Sequence, residues 1–187
     1  MTANLGRPGN RILRAAKPTT GRRGVDFIRR LIQQGVFATT PLTSCYGARS
    51  AALQFRYPLV ARTARIISTA RFYVGEVTIG ENTFVGHAFR AYGGDGSSLI
   101  LGQNCDVGPH VVILAGTHHI GSSLRRAGKG ISTTVSIGDG AWVGGRVTIV
   151  GPCEIGAGCV IAAGCVVRQA VPAGHLYLGP DDVRRLA

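Results

Sequence analysis

The sequence is dominated by an aliphatic residue that returns every six positions from about residue 77 onward. This period fits neither the 3.6-residue turn of an α-helix nor the two-residue alternation of a free strand. It fits short strands separated by tight corners, so that each six-residue unit forms one face of a prism. The repeat therefore predicts a β-solenoid. The repeating aliphatic residues are Ile79, Val85, Leu101, Val107, Ile113, Ile137, Val143, Ile149, Ile155, Ile161 and Val167.

Each six-residue unit has a second regularity around its aliphatic residue. Glycine often follows it, and the chain has 28 glycines in 187 residues. We expect this glycine to serve the corner, because glycine adopts backbone conformations that other residues avoid. We expect the aliphatic side chain to point inward and stack on its equivalent one coil away. The spacing does not fix the hand of the coil, and the general rule for parallel crossovers favours a right-handed one.

Composition excludes several classes of protein. Charged residues make up only 16% of the chain, and the longest wholly apolar run, 111–115, is far below the ~20 residues that cross a bilayer. A membrane span is therefore not expected. The basic N-terminus lacks the apolar stretch of a secretory signal, and we expect a cytoplasmic protein.

The net charge of +12 lies in the first part of the chain. Residues 1–71 contain 13 Lys and Arg against one acid, whereas residues 72–187 contain 8 of each sign. Such a basic segment can contact nucleic acid, anionic lipid headgroups or an acidic substrate, or it can be solvated or covered by a partner. Because no nucleic-acid motif accompanies the charge, we expect no nucleic-acid partner and retain anionic surfaces as an alternative.

Four segments follow from these patterns. We expect a flexible basic leader over 1–20, a helical and irregular segment over 21–70, and the solenoid over 71–175 with a loop at 119–134. Residues 176–187 form a C-terminal tail.

A short basic amphipathic helix is predicted within the second segment. Val25, Ile28, Leu31 and Ile32 fall on one helical stripe, and arginines fall elsewhere. Packing of this stripe on the main domain is the commoner outcome for such a helix, and lying on a membrane surface is the alternative.

Two stretches add a more specific pattern to the repeat. The sequence Gly-Thr-His-His-Ile-Gly at 116–121 precedes a non-repeating segment at 122–134, and Ile-Gly-Asp-Gly-Ala-Trp-Val-Gly-Gly follows at 137–145. Together with the repeat, which covers roughly residues 75–175, they resemble the hexapeptide-repeat acyltransferases, and within them the galactoside and maltose O-acetyltransferases. The resemblance implies a left-handed parallel β-helix, which overrides the general rule of handedness, and a homotrimer.

The resemblance also implies an activity. Acetyl-CoA would be the co-substrate, and its acetyl group would pass directly to a hydroxyl of a carbohydrate or glycoconjugate in a ternary complex. His118 would be the general base, because imidazole titrates near neutral pH and can accept the hydroxyl proton. Successive strand residues point to opposite sides, so His118 and His119 do not both face the site.

Further ligand contacts are implied residue by residue. Trp142 stands where the family has the acetyl-CoA and acceptor pocket, and Gly145 and Ala163 stand where relatives touch the pantetheine arm. Arg168 takes the place of a family lysine near the CoA phosphates. His87 stands near the place of a missing acceptor-binding asparagine and can supply a hydrogen bond instead.

Other members of the fold leave alternatives open. The acceptor can be an antibiotic, as in streptogramin acetyltransferases, or the solenoid can be a non-catalytic scaffold. Zinc carbonic anhydrases share the solenoid, but the histidines here do not have the spacing of that family's ligands. The candidate histidines are His87, His110, His118, His119 and His175.

The cysteines of the repeat do not predict a metal site. Cys105, Cys153, Cys159 and Cys165 occupy the small-residue position of their units, and the last three are six residues apart. Consecutive ones therefore lie on different faces and cannot converge on one zinc ion. We expect buried, reduced thiols and no metal requirement, and Cys45 lies outside the repeat.

Overall fold

The structure is a computed structural model that describes residues 22–41 and 43–186. The leader expected over 1–20 lies outside the described residues. In chain order the elements are α1 (Arg22–Thr39), α2 (Tyr46–Arg56), β1 (Arg65–Ile66), β2 (Arg71–Tyr73), β3 (Glu76–Ile79), β4 (Phe84–Val85), β5 (Arg90–Tyr92), β6 (Ser98–Leu101), β7 (Asp106–Val107), β8 (Val112–Leu114), β9 (Gly116–Ile120), β10 (Ala127–Ser132), β11 (Thr134–Ile137), β12 (Trp142–Val143), β13 (Thr148–Val150), β14 (Cys153–Ile155), β15 (Val160–Ile161), β16 (Val166–Val167), β17 (His175–Gly179) and β18 (Asp182–Arg185).

Three mainly parallel sheets form the sides of a prism. Sheet A contains β3, β6, β11 and β14, and sheet C contains β2, β5, β8, β13 and β16. Sheet B contains β1, β4, β7, β12, β15, β17 and β18, the last of which is antiparallel. The chain passes from sheet A to B to C and then begins the next coil. The predicted parallel β-solenoid is therefore confirmed.

The core is a set of stacked aliphatic columns inside this prism. In sheet A, Ile79, Leu101, Ile137 and Ile155 pair in register from coil to coil, and all four are buried. The repeating aliphatic residues of the other two sheets are buried as well. The six-residue period arises because each unit supplies one inward-pointing aliphatic residue per side.

The glycines that follow aliphatic residues of sheets A and B have a different role from the one expected. Left-handed backbone occurs two residues later, as at Asn82, Asn104 and Gly140. The glycine itself is required by the next coil, because a Cβ on Gly144 would lie 2.6 Å from the backbone nitrogen of Ala163. Close approach of neighbouring coils, not left-handed backbone, excludes larger residues there.

The solenoid begins before residue 71. Val60 bridges to Ile79, and β1 pairs in parallel with β4. Val60, Ile66 and Phe72 continue the six-residue period and are buried, but none of them is followed by glycine. The coil was missed in the sequence because its units lack that signature.

The two helices lie at this first coil, and α1 is not oriented as expected. The side of α1 that carries Gln33 and Phe37 is buried. The stripe that was predicted to pack, from Val25 to Ile32, is about half exposed. The commoner expectation, that this stripe packs on the domain, is wrong. No helix among the described residues is both long and apolar enough to cross a membrane.

The C-terminal segment, expected as a tail over 176–187, extends sheet B. β17 pairs in parallel with β15, and β18 returns antiparallel to β17. Tyr177 is buried and pairs with Ile161, so this hairpin closes the end of the solenoid.

Candidate active site

His118 lies on a β-hairpin that interrupts the repeat. β9 and β10 pair antiparallel, with His118 opposite Gly130, where a loop over 119–134 was expected. Both His118 and His119 are exposed. Gly130 has no side chain to cover its partner, and this pairing could not be read from a six-residue period. An exposed imidazole opposite a glycine has room for a substrate beside it.

The hairpin leaves the solenoid at one corner. β8 of sheet C precedes it and β11 of sheet A follows it, so the hairpin projects from the corner between these sheets, the C–A corner. Sheet B is the side opposite this corner.

Trp142 lies on sheet B, away from the hairpin's corner. It pairs in register with Asp106 on one side and Val160 on the other. Its side chain is 59% exposed, so the ring is not part of the core. An indole on the outer surface of a sheet offers a flat apolar surface to a ligand or to a neighbouring subunit.

Gly145 and Ala163 lie next to each other at the corner between sheets B and C, the B–C corner. Gly164 N donates to Gly145 O at 2.9 Å, which joins the two coils. The N–H groups of Gly145 and Ala163 donate to no acceptor among the described residues. Adjacent coils are about 4.8 Å apart, so this edge presents two free donors in a row, flanked by small residues.

His87 lies at the same B–C corner, two coils earlier. Its Nδ1 is 2.9 Å from Thr69 Oγ1, and its ring meets that of His110 edge-on, with centroids 5.5 Å apart. These contacts orient the exposed imidazole. Thr69 was not singled out in the sequence, because it belongs to the first coil, whose units lack glycine.

Arg168 lies at the C–A corner, after β16, and is exposed. Its neighbour Gln169 donates from Nε2 to Pro180 O at 3.3 Å and so contacts the C-terminal segment. Arg125 and Lys129 of the hairpin are also exposed. These three exposed cations lie on the hairpin side of the prism.

The implied site residues thus form two groups within one chain. His118 and Arg168 lie at the C–A corner or on the hairpin that leaves it. Trp142, Gly145 and Ala163 lie on sheet B or at the B–C corner, together with His87. The first group is on the side opposite sheet B.

The cysteines of the repeat are free thiols. Burial, with a smaller effect of the Glu154 carboxylate, raises the pKa of Cys153 to about 11. Burial also raises the pKa of Cys105 and Cys165. Within residues 22–41 and 43–186, no three His, Cys, Asp or Glu side chains converge on a potential metal site.

Comparison with known proteins links this geometry to a family. Residues 134–169 match the family model described as bacterial transferase hexapeptide (six repeats). The Saccharomyces cerevisiae protein named "Putative acetyltransferase YJL218W" is 35% identical over 84 residues, 45% of this chain and 42% of that protein. The chain therefore spans less than half the length of this relative.

Solved structures share the fold over most of the chain. The hexapeptide-repeat acetyltransferase VCA0836 of Vibrio cholerae superposes with a TM-score of 0.70 at 21% identity, over 89% of this chain and 93% of that one. A maltose O-acetyltransferase of Clostridium difficile 630 has a TM-score of 0.58 at 23% identity, over 90% of each chain. The resemblance inferred from the sequence is confirmed: the chain carries the bacterial transferase hexapeptide repeat and shares its fold with solved hexapeptide-repeat acetyltransferases.

Proposed function

We propose that this chain is an acetyl-CoA-dependent O-acetyltransferase that acts on a hydroxyl of a carbohydrate or glycoconjugate. The observation that carries the proposal is the exposed His118 on a hairpin inserted between two coils of the solenoid. The family model and the fold of the maltose O-acetyltransferase support it. The same likeness supports a left-handed coil.

The proposed reaction needs a base, an electrophile and a leaving group. His118 accepts the proton of the acceptor hydroxyl while the oxygen attacks the thioester carbonyl carbon. The C–S bond then breaks, and the departing CoA sulfur takes the proton from the imidazolium of His118. A new ester and free CoA thiol are the products, so atoms and charge balance. Such a base contributes roughly a hundred- to ten-thousandfold in rate.

The donor is held mainly by backbone in this proposal. The pantetheine arm contains amide carbonyls, and the free N–H groups of Gly145 and Ala163 are donors of the right kind. A Cβ on Gly145 would lie only 3.3 Å from Pro109 O, so a larger residue would crowd this edge. Trp142 would flank the acyl end, and Arg168 would meet the CoA phosphates.

The proposed site is shared between subunits of a homotrimer. Within one chain, His118 is on the side opposite the sheet that carries Trp142. Packing the prisms side by side brings the hairpin of one chain toward sheet B and the B–C corner of the next. His87, at that corner, would orient an acceptor hydroxyl.

A pair of adjacent histidines gives a matched test. Release of CoA thiol from acetyl-CoA is measured with a panel of mono- and disaccharide acceptors, for wild type, His118→Ala and His119→Ala. We expect turnover to fall at least about a hundredfold in His118→Ala and to change little in His119→Ala. Equal unfolding temperatures would show that both variants fold. Unchanged turnover in His118→Ala would remove this residue from the mechanism.

A further inference from the structure

Helix α1 exposes its apolar side. Five apolar side chains, spaced three and four residues apart in two neighbouring rows, lie on one side of the helix. We refer to the five side chains together as the apolar face. They are Val25 (48% exposed), Phe27 (62%), Ile28 (55%), Leu31 (51%) and Ile32 (45%).

The opposite side of α1 is the one that meets the protein. Gln33 and Phe37 are buried there, and the guanidinium of Arg29 lies 5.2 Å from the centre of the Phe55 ring. A helix that packs on a soluble domain normally buries its apolar stripe and exposes its polar residues. In this helix the side that carries Gln33 and Phe37 is buried, and the apolar face is about half exposed.

Such a contiguous patch requires a partner, because single exposed apolar residues are normal and clustered ones are not. The charges around α1 indicate which partner. Residues 1–71 hold 13 Lys and Arg against one acid.

A second copy of the chain fits this surface poorly, because two strongly cationic segments would meet. An anionic lipid surface satisfies both features at once. Acyl chains take up the apolar residues, and headgroup phosphates meet the arginines. We propose that α1 lies in the plane of an anionic bilayer surface, with the apolar face inserted and the basic residues of this part of the chain attracted to the headgroups.

Vesicle co-sedimentation of the full chain tests this proposal. One set of vesicles is phosphatidylcholine alone, and the other also contains about 30% phosphatidylglycerol, which supplies the negative surface potential. We expect binding to the anionic vesicles at least tenfold stronger than to the neutral ones. Raising the salt concentration from about 0.1 M to about 1 M shortens the screening length from about 10 Å to about 3 Å and should weaken binding. Equal binding to both vesicles, or none, would overturn the proposal.

A charge-neutral pair of substitutions tests the apolar contribution separately. Ile28→Ser with Leu31→Ser should weaken binding to the anionic vesicles at least tenfold, because two inserted side chains are lost. Gln34→Ser is the matched control, since Gln34 is exposed on the same helix outside the apolar face. If the serine pair lowers the unfolding temperature, the experiment uses Ile28→Ala with Leu31→Ala instead, because alanine preserves helix propensity.

Two results would contradict insertion of this helix. Binding that is unchanged in the apolar-face variants would show that charge alone holds the chain. A lower sedimentation mass of these variants without lipid would show that a second copy covers the apolar face. Acetyl transfer measured without vesicles should be the same in these variants and in wild type, so failure of this proposal is distinguishable from failure of the proposed activity.

Discussion

Cys153 shows how the interior of the solenoid changes a side chain's chemistry. Its thiol is 6% exposed and donates to Gln169 O at 3.3 Å. Burial disfavours the thiolate, and the adjacent Glu154 carboxylate adds repulsion, so the pKa rises from 9.0 to about 11. The thiol therefore stays neutral, and it is a poor nucleophile at neutral pH because the thiolate is the reactive form.

This shift predicts a loss of stability at high pH. The folded pKa lies above the unfolded one, so the folded protein retains the proton while the unfolded chain loses it, and unfolding is favoured as pH rises from about 9 to about 11. Two pKa units correspond to about 2–3 kcal/mol in the free energy of unfolding. Over this range, the unfolding temperature should fall more in wild type than in Cys153→Ala.

Cys45 supplies the control for this experiment, because its side chain is exposed and outside the repeat. Cys45→Ala should keep the pH dependence of wild type. The same slope in wild type and Cys153→Ala would show that other groups cause the loss at high pH.

At the scale of elements, the corners that follow sheets A and B have two positions with different demands. The residue right after the aliphatic one is pressed against the next coil, as at Gly144. The residue two further on adopts left-handed backbone, as at Asn82, Asn104 and Gly140. Asparagine tolerates that conformation better than most residues, so at these corners the first position is the more restrictive one.

Substitutions at the two positions should differ sharply. Gly144→Ala places a Cβ 2.6 Å from Ala163 N, and backbone must shift, which should cost about 1–3 kcal/mol or more. Gly140→Asn has open space around it and copies Asn104 one coil earlier, so it should cost less than about 1 kcal/mol. Chemical unfolding of both variants measures the difference, and equal costs would contradict this account of the corner.

The sequence was informative for features that the six-residue unit determines by itself. The stacked columns of Ile79 and Leu101 could be predicted, because every inward residue repeats at the same spacing. The pairing of His118 with Gly130 could not, because it depends on where an antiparallel hairpin turns. Which side of α1 packs on the solenoid could not be predicted either, since amphipathic spacing identifies the apolar side but not what covers it.

Arg49 is a further case that sequence could not reveal. In the sequence it was one of the 13 Lys and Arg of residues 1–71, yet its side chain is buried. Its Nε donates to Ile66 O, and its Nη1 donates to Pro41 O at 2.8 Å. The side chain thus joins the helices to the first coil, and burial lowers its pKa. Long-range carbonyl partners of this kind leave no local pattern in a sequence.

At the scale of the whole molecule, the distribution of the proposed site residues bears on how the chains would assemble. The hairpin with His118 and the edge with Gly145 and Ala163 are on different sides of one prism. A single chain with this arrangement would offer the proposed base without the proposed donor edge next to it. A closed ring of three chains would place each hairpin against a neighbour and leave no half-site unused.

Mixing two inactive variants tests this arrangement. His118→Ala removes the base, and Ala163→Tyr fills the edge where the donor arm would lie, so each should be inactive alone. When equal amounts of the two variants co-assemble at random, a site built from two chains has an intact base and an intact edge in about a quarter of cases. Activity should therefore return to about a quarter of wild type in the mixture, measured as CoA release after co-refolding. A mixture as inactive as its components, with trimers confirmed by sedimentation, would mean that base and edge must come from the same chain.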